Sequence, residues 1–168
     1  MSKAIEDGTN TLSFNTTHIK FSFKDFTLTS RLIEESYPNY ESVIPLENDK
    51  KLSVDRNTLL ASVKRVSLYS SNTTHQILFS MKKNELKIMA EDVDFGGEAK
   101  ERVVCNYSED NMEIGFNAIY LMDILSHIDS AEVIFSFSSS VKAAIIKPIA
   151  MKENEDVLML VMPMRLNV

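Results

Sequence analysis

The chain has 168 residues, and its 18 Lys and Arg against 24 Asp and Glu give a formal net charge of −6 at pH 7. A net negative chain is not held to nucleic acid or acidic lipid by its overall charge. Because 44% of the residues are hydrophobic and only four are glycine and four proline, the composition indicates a folded core and excludes a low-complexity chain.

The cysteine content and the apolar runs bear on the cellular compartment. The single cysteine, Cys105, excludes an internal disulfide framework and is typical of a reducing cytoplasm. No apolar run reaches the roughly 18 residues that a membrane span needs, and the N-terminal residues lack the apolar core of a signal peptide. We therefore expect a cytoplasmic protein with no membrane segment.

Residues 10–34 have the alternating pattern of β-strands. The apolar residues that alternate with polar neighbours are Ile19, Phe21, Phe23, Phe26 and Leu28. The Lys24–Asp25 pair between the two runs favours a tight hairpin. Residues 35–49 contain two prolines and few periodic apolar residues, and we interpret them as a linker.

After the linker the chain repeats itself with an offset of about 62 residues. Leu52–Asp55 and Ile114–Asn117 each form a short alternating strand that ends in an Asx residue, and an Asx residue is a good helix N-cap. An amphipathic helix follows each strand, with apolar residues at positions i, i+4 and i+7. These residues are Leu59, Val63 and Val66 in the first helix and Leu121, Leu125 and Ile128 in the second.

Strand-like segments follow each of the two predicted helices. They span roughly 75–82, 85–91 and 98–106 in the first repeat, and roughly 131–137, 142–149 and 156–163 in the second. The unit β-α-β-β-β therefore occurs twice. Two such units pair their helices on one side of antiparallel sheet, so the spacing alone predicts a layered α+β fold.

Motifs in the linker, the second repeat and the C-terminal run carry a family resemblance. They are Tyr-Pro-x-Tyr-x-x-Val-x-Pro at 37–45, Glu-Ile-Gly-Phe-Asn at 113–117 and Val-Met-Pro-Met-Arg-Leu at 161–166. Together they resemble the bacterial sliding clamp, the β subunit of the replicative DNA polymerase. Residues 46–168 resemble its complete C-terminal domain, and residues 1–45 resemble the end of its middle domain plus the linker. The resemblance implies the DNA-clamp fold.

The resemblance also implies a function. Sliding clamps are non-catalytic processivity subunits of the DNA polymerase III holoenzyme and need no cofactor. The family forms a homodimeric ring around double-stranded DNA, and a groove in each subunit binds short peptides of replicative and other DNA polymerases, the clamp loader and repair proteins. The alternative is a freestanding truncated clamp that competes for clamp-binding peptides without encircling DNA.

Residue by residue, the resemblance assigns three surfaces. The peptide groove maps to Pro38, Val43, Asn117, Tyr120, Val141, Leu160, Val161, Met162, Pro163, Met164, Arg165 and Leu166. Lys64 and Arg65 map to the helix face that lines the DNA hole of clamps, and a solvated helix face is the alternative. Leu68 and Tyr69 map to the ring interface. From composition alone the C-terminal run is interpreted as a core strand, whereas the resemblance favours a groove for Met162–Leu166.

Signals for catalysis or metal binding are weak. The three histidines share no metal-ligand spacing, so we expect no metal site; they are His18, His75 and His127. The acidic run Glu91–Asp94 is interpreted as a solvated turn, and a small hydrolase that gathers Asp92, Asp94 and a histidine is the alternative. Ser138–Ser140 has no paired His and acid motif and is interpreted as a turn.

Overall fold

The computed structural model describes residues 10–23, 25–92 and 96–166. The chain divides into two compact units, Met1–Asn39 and Tyr40–Val168, and each is described by itself. The boundary between the units falls within the predicted linker. A short 3-10 helix, Tyr40–Val43, begins the second unit; no apolar period in the linker had indicated it.

The first unit contains an antiparallel sheet in the order β1-β2-β3. Its strands are β1 (Thr11–Phe14), β2 (His18–Ser22) and β3 (Thr27–Arg31). Phe21 lies opposite Leu12 on one side and Leu28 on the other, so apolar side chains share one face of the sheet. The predicted strands are confirmed. Lys24 of the predicted hairpin lies outside the described residues.

Both helices of the second unit begin where the Asx residues predict. The carboxylate of Asp55 accepts from the Thr58 N–H at 2.7 Å and caps α1 (Arg56–Ser67). The Asn117 side chain accepts from the Ile119 N–H at 2.9 Å and caps α2 (Ala118–His127). The predicted apolar stripes are buried in both helices, namely Leu59, Val63 and Val66, and Leu121, Leu125 and Ile128.

The remaining strands of the second unit form two antiparallel sheets. They are β4 (Lys50–Asp55), β5 (Gln76–Lys82), β6 (Glu85–Asp92), β7 (Gly97–Val104), β8 (Asn106–Tyr107), β9 (Met112–Asn117), β10 (Glu132–Phe137), β11 (Ala144–Pro148) and β12 (Met159–Val161). One sheet has the order β12-β11-β10-β4-β8 and the other β7-β6-β5-β9. The first strand of each repeat therefore pairs with a strand of the other repeat, β4 with β10 and β9 with β5.

The core contains side chains from both repeats. The ring centroid of Phe79 in β5 lies 5.5 Å from that of Phe116 and 6.2 Å from that of Phe135. The Tyr107 ring is fully buried, and its hydroxyl donates to the Asp110 carbonyl at 2.6 Å. Cys105 is also buried, and burial raises the pKa of its thiol to about 11. Aromatic and aliphatic residues thus join the two sheets and the two helices into one core.

Two predictions from the sequence need correction. Asp92 is not in a solvated turn; it ends β6 opposite Gly97 and is 8% exposed, because strand pairing continues further than the acidic run suggested. Asp94 lies outside the described residues. The final predicted strand, 156–163, is shorter than expected and is paired over Met159–Val161.

Candidate functional site

An apolar pocket of about 490 Å³ opens beside α2. Two segments far apart in sequence form it: the first turns of α2, and β12 with the residues that follow it. The lining residues are Asn117, Tyr120, Ile124, Leu160, Val161, Met162, Pro163 and Met164. A pocket of this size, mostly apolar with a few polar groups, suits the side chains of a short peptide or a small ligand.

The helix wall of the pocket is fixed by the N-cap of α2. The Asn117 Oδ1 accepts from the N–H groups of Ile119 and Tyr120, and its Nδ2 donates to the Thr74 carbonyl at 3.1 Å. These bonds hold the start of the helix against the loop before β5. Tyr120 and Ile124 are one turn apart and therefore lie on the same face of α2.

The other wall of the pocket is the C-terminal segment, Met162–Leu166. Before it, β12 pairs with β11 at the edge of its sheet, with Leu160 opposite Ile145. Beyond β12, the Met164 N–H donates to the Gly115 carbonyl of β9 at 2.8 Å. The chain thus passes from the edge of one sheet to the edge of the other, and Met162 remains 61% exposed between them.

The structure brings seven of the predicted groove residues together in this pocket. Arg165 and Leu166 continue the C-terminal segment without lining the pocket, and Leu166 is half-buried. Val141 is exposed on the connection between β10 and β11, and Val43 is exposed in the 3-10 helix. Pro38 belongs to the first unit.

Sequence reasoning missed Ile124, which lines the pocket from α2. No motif pointed to this residue. The available signal was its spacing of four residues from Tyr120, because residues at i and i+4 share a helix face. Its half-buried position also lies outside the core stripe of the helix, whose members are Leu121 and Leu125.

The predicted DNA-facing residues lie on the exposed side of α1. Lys64 and Arg65 are both exposed, but Arg65 is engaged by Glu101 of β7, with Nε to Oε1 at 2.6 Å and Nη2 to Oε2 at 2.7 Å. The Arg65 guanidinium holds the pKa of the Glu101 carboxyl below its usual range. Lys64 and Arg65 therefore differ in how much positive charge they offer to solvent, since the charge of Arg65 is compensated by a bidentate partner.

The predicted ring-interface residues lie just after α1. Leu68 is 80% exposed and Tyr69 is 48% exposed, so an apolar and an aromatic side chain are both open to solvent. A Cβ at Gly97 would lie 3.3 Å from Cδ1 of Tyr69, which shows that the Tyr69 ring lies against the start of β7. An exposed apolar pair next to an edge strand is the kind of surface that a partner chain covers.

The alternative of a hydrolase draws no support from the described residues. Within 10–23, 25–92 and 96–166, no cluster of three or more His, Cys, Asp or Glu side chains has a geometry that would hold a metal ion. His127 lies at the end of α2, where its Nδ1 is 2.8 Å from the Asp123 carbonyl, while Asp92 is buried in β6. None of the helices in these ranges is both long enough and apolar enough to span a bilayer.

The sequence model of the family described as DNA polymerase III beta subunit, C-terminal domain, matches residues 41–165. The chain belongs to this family. The match begins in the 3-10 helix, covers both repeats and ends in the C-terminal segment, so it includes every residue that lines the pocket. It confirms the resemblance to sliding clamps that the three motifs indicated.

Individual members of the family are similar along nearly the whole chain. The beta sliding clamp of Pseudomonas aeruginosa is 34% identical over 161 residues, which cover 96% of this chain and 43% of that protein. The beta sliding clamp of Treponema pallidum is 30% identical over 166 residues, or 97% and 44% of the two chains. This chain therefore spans less than half the length of these relatives.

Solved structures confirm the α+β clamp fold. The crystal structure of a sliding clamp, DNA polymerase III subunit beta, from Bartonella birtlesii bound to griselimycin has a TM-score of 0.89 and 34% sequence identity. The likeness covers 98% of this chain and 43% of that one. The likeness accounts for the two helices on antiparallel sheet that the repeated β-α-β-β-β unit predicted.

Proposed function

We propose that this chain is the C-terminal portion of a sliding clamp, a non-catalytic processivity factor that tethers DNA polymerases to DNA. The observation that carries the proposal is the apolar pocket between α2 and the C-terminal segment, in a chain of this family. A tethering protein needs a docking site more than it needs catalytic groups. An exposed apolar pocket with a polar rim is such a site.

The chemistry of the pocket fits a short peptide with large apolar side chains. Met162 and Met164 have flexible, polarisable thioethers that adapt to partners of different shape. Asn117 and Tyr120 are the lining residues with polar side chains, and both belong to the helix side of the pocket. We expect a peptide in which a glutamine precedes leucine or another large apolar residue, with the apolar side chains in the pocket and the glutamine at the polar rim.

The remaining assigned residues belong to the same proposal. Arg165, Leu166 and Val141 would extend the groove around the pocket, and Pro38 and Val43 are assigned to the groove by the family resemblance. Lys64 and Arg65 would face DNA, and Leu68 and Tyr69 would contact the next subunit of the ring. Exposure of Leu68 and Tyr69 supports the last assignment.

The proposed partners follow from the tethering role. They are replicative and other DNA polymerases, the clamp loader and repair proteins, each through a short peptide, and double-stranded DNA through encirclement by a complete homodimeric ring. We place the protein in the cytoplasm, where the replication machinery of a bacterium works. The net charge of −6 supports encirclement over adhesion as the way in which DNA is held.

The test is a titration of the isotope-labelled chain with such a peptide, followed by NMR. A short peptide that buries a few apolar side chains should bind at about micromolar Kd or more weakly, because ordering costs offset much of the gain. Resonances of Asn117, Tyr120 and Met162 should shift, and a peptide of the same composition in scrambled order should leave them in place. No shift at millimolar peptide would contradict the proposed function.

A further inference from the structure

The C-terminal segment is fastened to β9 at one glycine. β9 is the last strand of its sheet, and Gly115 in the middle of it pairs with Met164 in an isolated antiparallel bridge. The Met164 N–H donates to the Gly115 carbonyl at 2.8 Å. Gly115 is buried although it lies on an edge strand, because the C-terminal segment covers it.

Gly115 leaves no room for a side chain. An added Cβ would lie 2.9 Å from Cδ2 of Leu166, 3.0 Å from Nε2 of Gln76 and 3.0 Å from the carbonyl oxygen of Met164. The first two atoms are ends of side chains and can move. The third is backbone of the C-terminal segment itself, so a side chain at this position requires the segment to shift by a few tenths of an ångström.

We propose that Gly115 is a positioning residue of the groove: it seats the C-terminal segment on β9 and so fixes Pro163 and Met164 as a wall of the pocket. The proposal rests on the proposed peptide-binding function. Gly115 does not line the pocket and acts only through the segment that it seats. Its role is therefore distinct from that of the residues that the peptide would touch.

The energetic reason is preorganisation. Between β12 and the C-terminus of the described chain, the bridge to Gly115 is the backbone contact that defines the path of the wall. If the segment is already held against β9, peptide binding does not have to order it. A wall that is displaced must be ordered when the peptide binds, and this cost lowers the affinity. The displacement should leave the core unaffected, because Ile114 and Phe116 point into it from the opposite face of β9.

Gly115→Ala tests the proposal, and the chain offers a matched control. Gly97→Ala makes the same change in β7, at the other edge of the same sheet, where the added Cβ meets only Cδ1 of Tyr69, at 3.3 Å. The readouts are hydrogen exchange of the Met164 amide, peptide Kd and the unfolding midpoint. In Gly115→Ala the Met164 amide should exchange about tenfold faster and peptide affinity should fall about fivefold, whereas Gly97→Ala should change neither.

The unfolding midpoint separates positioning from a general loss of stability. Alanine is favoured over glycine inside a strand, so Gly115→Ala should cost little global stability once the segment has moved. Equal Met164 exchange in Gly115→Ala and wild type would overturn the inference. A wild-type chain that binds no peptide would overturn the proposed function and the effect on affinity, while Met164 exchange would still test the seating itself.

A measurement on the wild type decides the case in which Gly115→Ala does not fold. If binding and seating are coupled, a saturating peptide should slow exchange of the Met164 amide, since coupling acts in both directions. The Phe116 amide in the core of the same unit serves as the internal reference. Bound peptide that leaves Met164 exchange unchanged relative to Phe116 would overturn the inference.

Discussion

Arg65 donates to both carboxylate oxygens of Glu101, from Nε at 2.6 Å and from Nη2 at 2.7 Å. The pair connects the exposed face of α1 to β7, an edge strand of the neighbouring sheet. Because Arg65 is one of the two cations proposed to face DNA, its engagement by a carboxylate weakens the attraction of this face for phosphate. Of the two residues proposed to face DNA, Lys64 would then attract phosphate more strongly.

Removing the charge of Glu101 should strengthen DNA binding. Glu101→Gln frees the Arg65 charge, so weak binding to duplex DNA at low salt should tighten and its salt dependence should steepen by about one phosphate contact. Fluorescence anisotropy across a salt series measures both. Lys64→Ala should change affinity in the opposite direction, and identical salt slopes for Glu101→Gln and wild type would count against a DNA-facing role of Arg65.

A charge in the pocket should abolish peptide binding. Met162→Glu places a carboxylate among apolar lining residues. Removing water from this carboxylate when a peptide binds costs more free energy than the apolar contacts of the peptide contribute. The fold should survive because Met162 is exposed. Met151→Glu is the matched control, since Met151 is an exposed methionine outside the pocket lining. Peptide titration of both variants decides; retained binding by Met162→Glu would place the site elsewhere.

The two N-caps allow a paired test of stability against binding. Asp55→Ala and Asn117→Ala each remove a side chain that caps a helix, and each should lower the free energy of unfolding by about 1 kcal/mol. Urea denaturation measures this loss. Only Asn117→Ala should weaken peptide binding, because Asn117 lines the pocket and Asp55 does not. Equal weakening by both variants would mean that affinity follows global stability.

The buried thiol should make the protein less stable in alkali. Burial raises the pKa of Cys105 from an ordinary value of 9.0 to about 11, so the unfolded chain loses this proton at lower pH than the folded one. The contribution of the neutral thiol is complete below pH 9 and is lost as pH rises from 9 to 11. Urea midpoints across this range should fall further in wild type than in Cys105→Ala. Parallel pH profiles would show that Cys105 is solvated when folded.

Much of the fold follows from local pattern. The N-caps Asp55 and Asn117 and the buried stripes of both helices depend only on residues within a few positions of each other, so the sequence was sufficient to predict them. The exchange of β4 and β9 between the sheets was not predicted. The alternation of apolar residues along a strand predicts which face is buried, but it does not predict which strand it pairs with.

The pocket was predicted only in part, because local pattern does not show which distant segments meet in the folded chain. Met162, Pro163 and Met164 stood out as a motif, whereas Ile124 and the seat at Gly115 depend on where the C-terminal segment crosses β9. The bidentate partner of Arg65 was also invisible, since Glu101 lies in a different element and only the folded chain brings the two together.

Because the two repeats exchange their first strands, each repeat of the second unit depends on the other to complete its sheet. β4 completes the sheet of the second repeat and β9 completes the sheet of the first, so neither half has a finished sheet of its own. The two repeats are arranged like the subunits of a domain-swapped dimer, and the short loop between β8 and β9 joins them. If the chain is cut in that loop, the two fragments should therefore remain associated. Each fragment produced alone should remain unfolded.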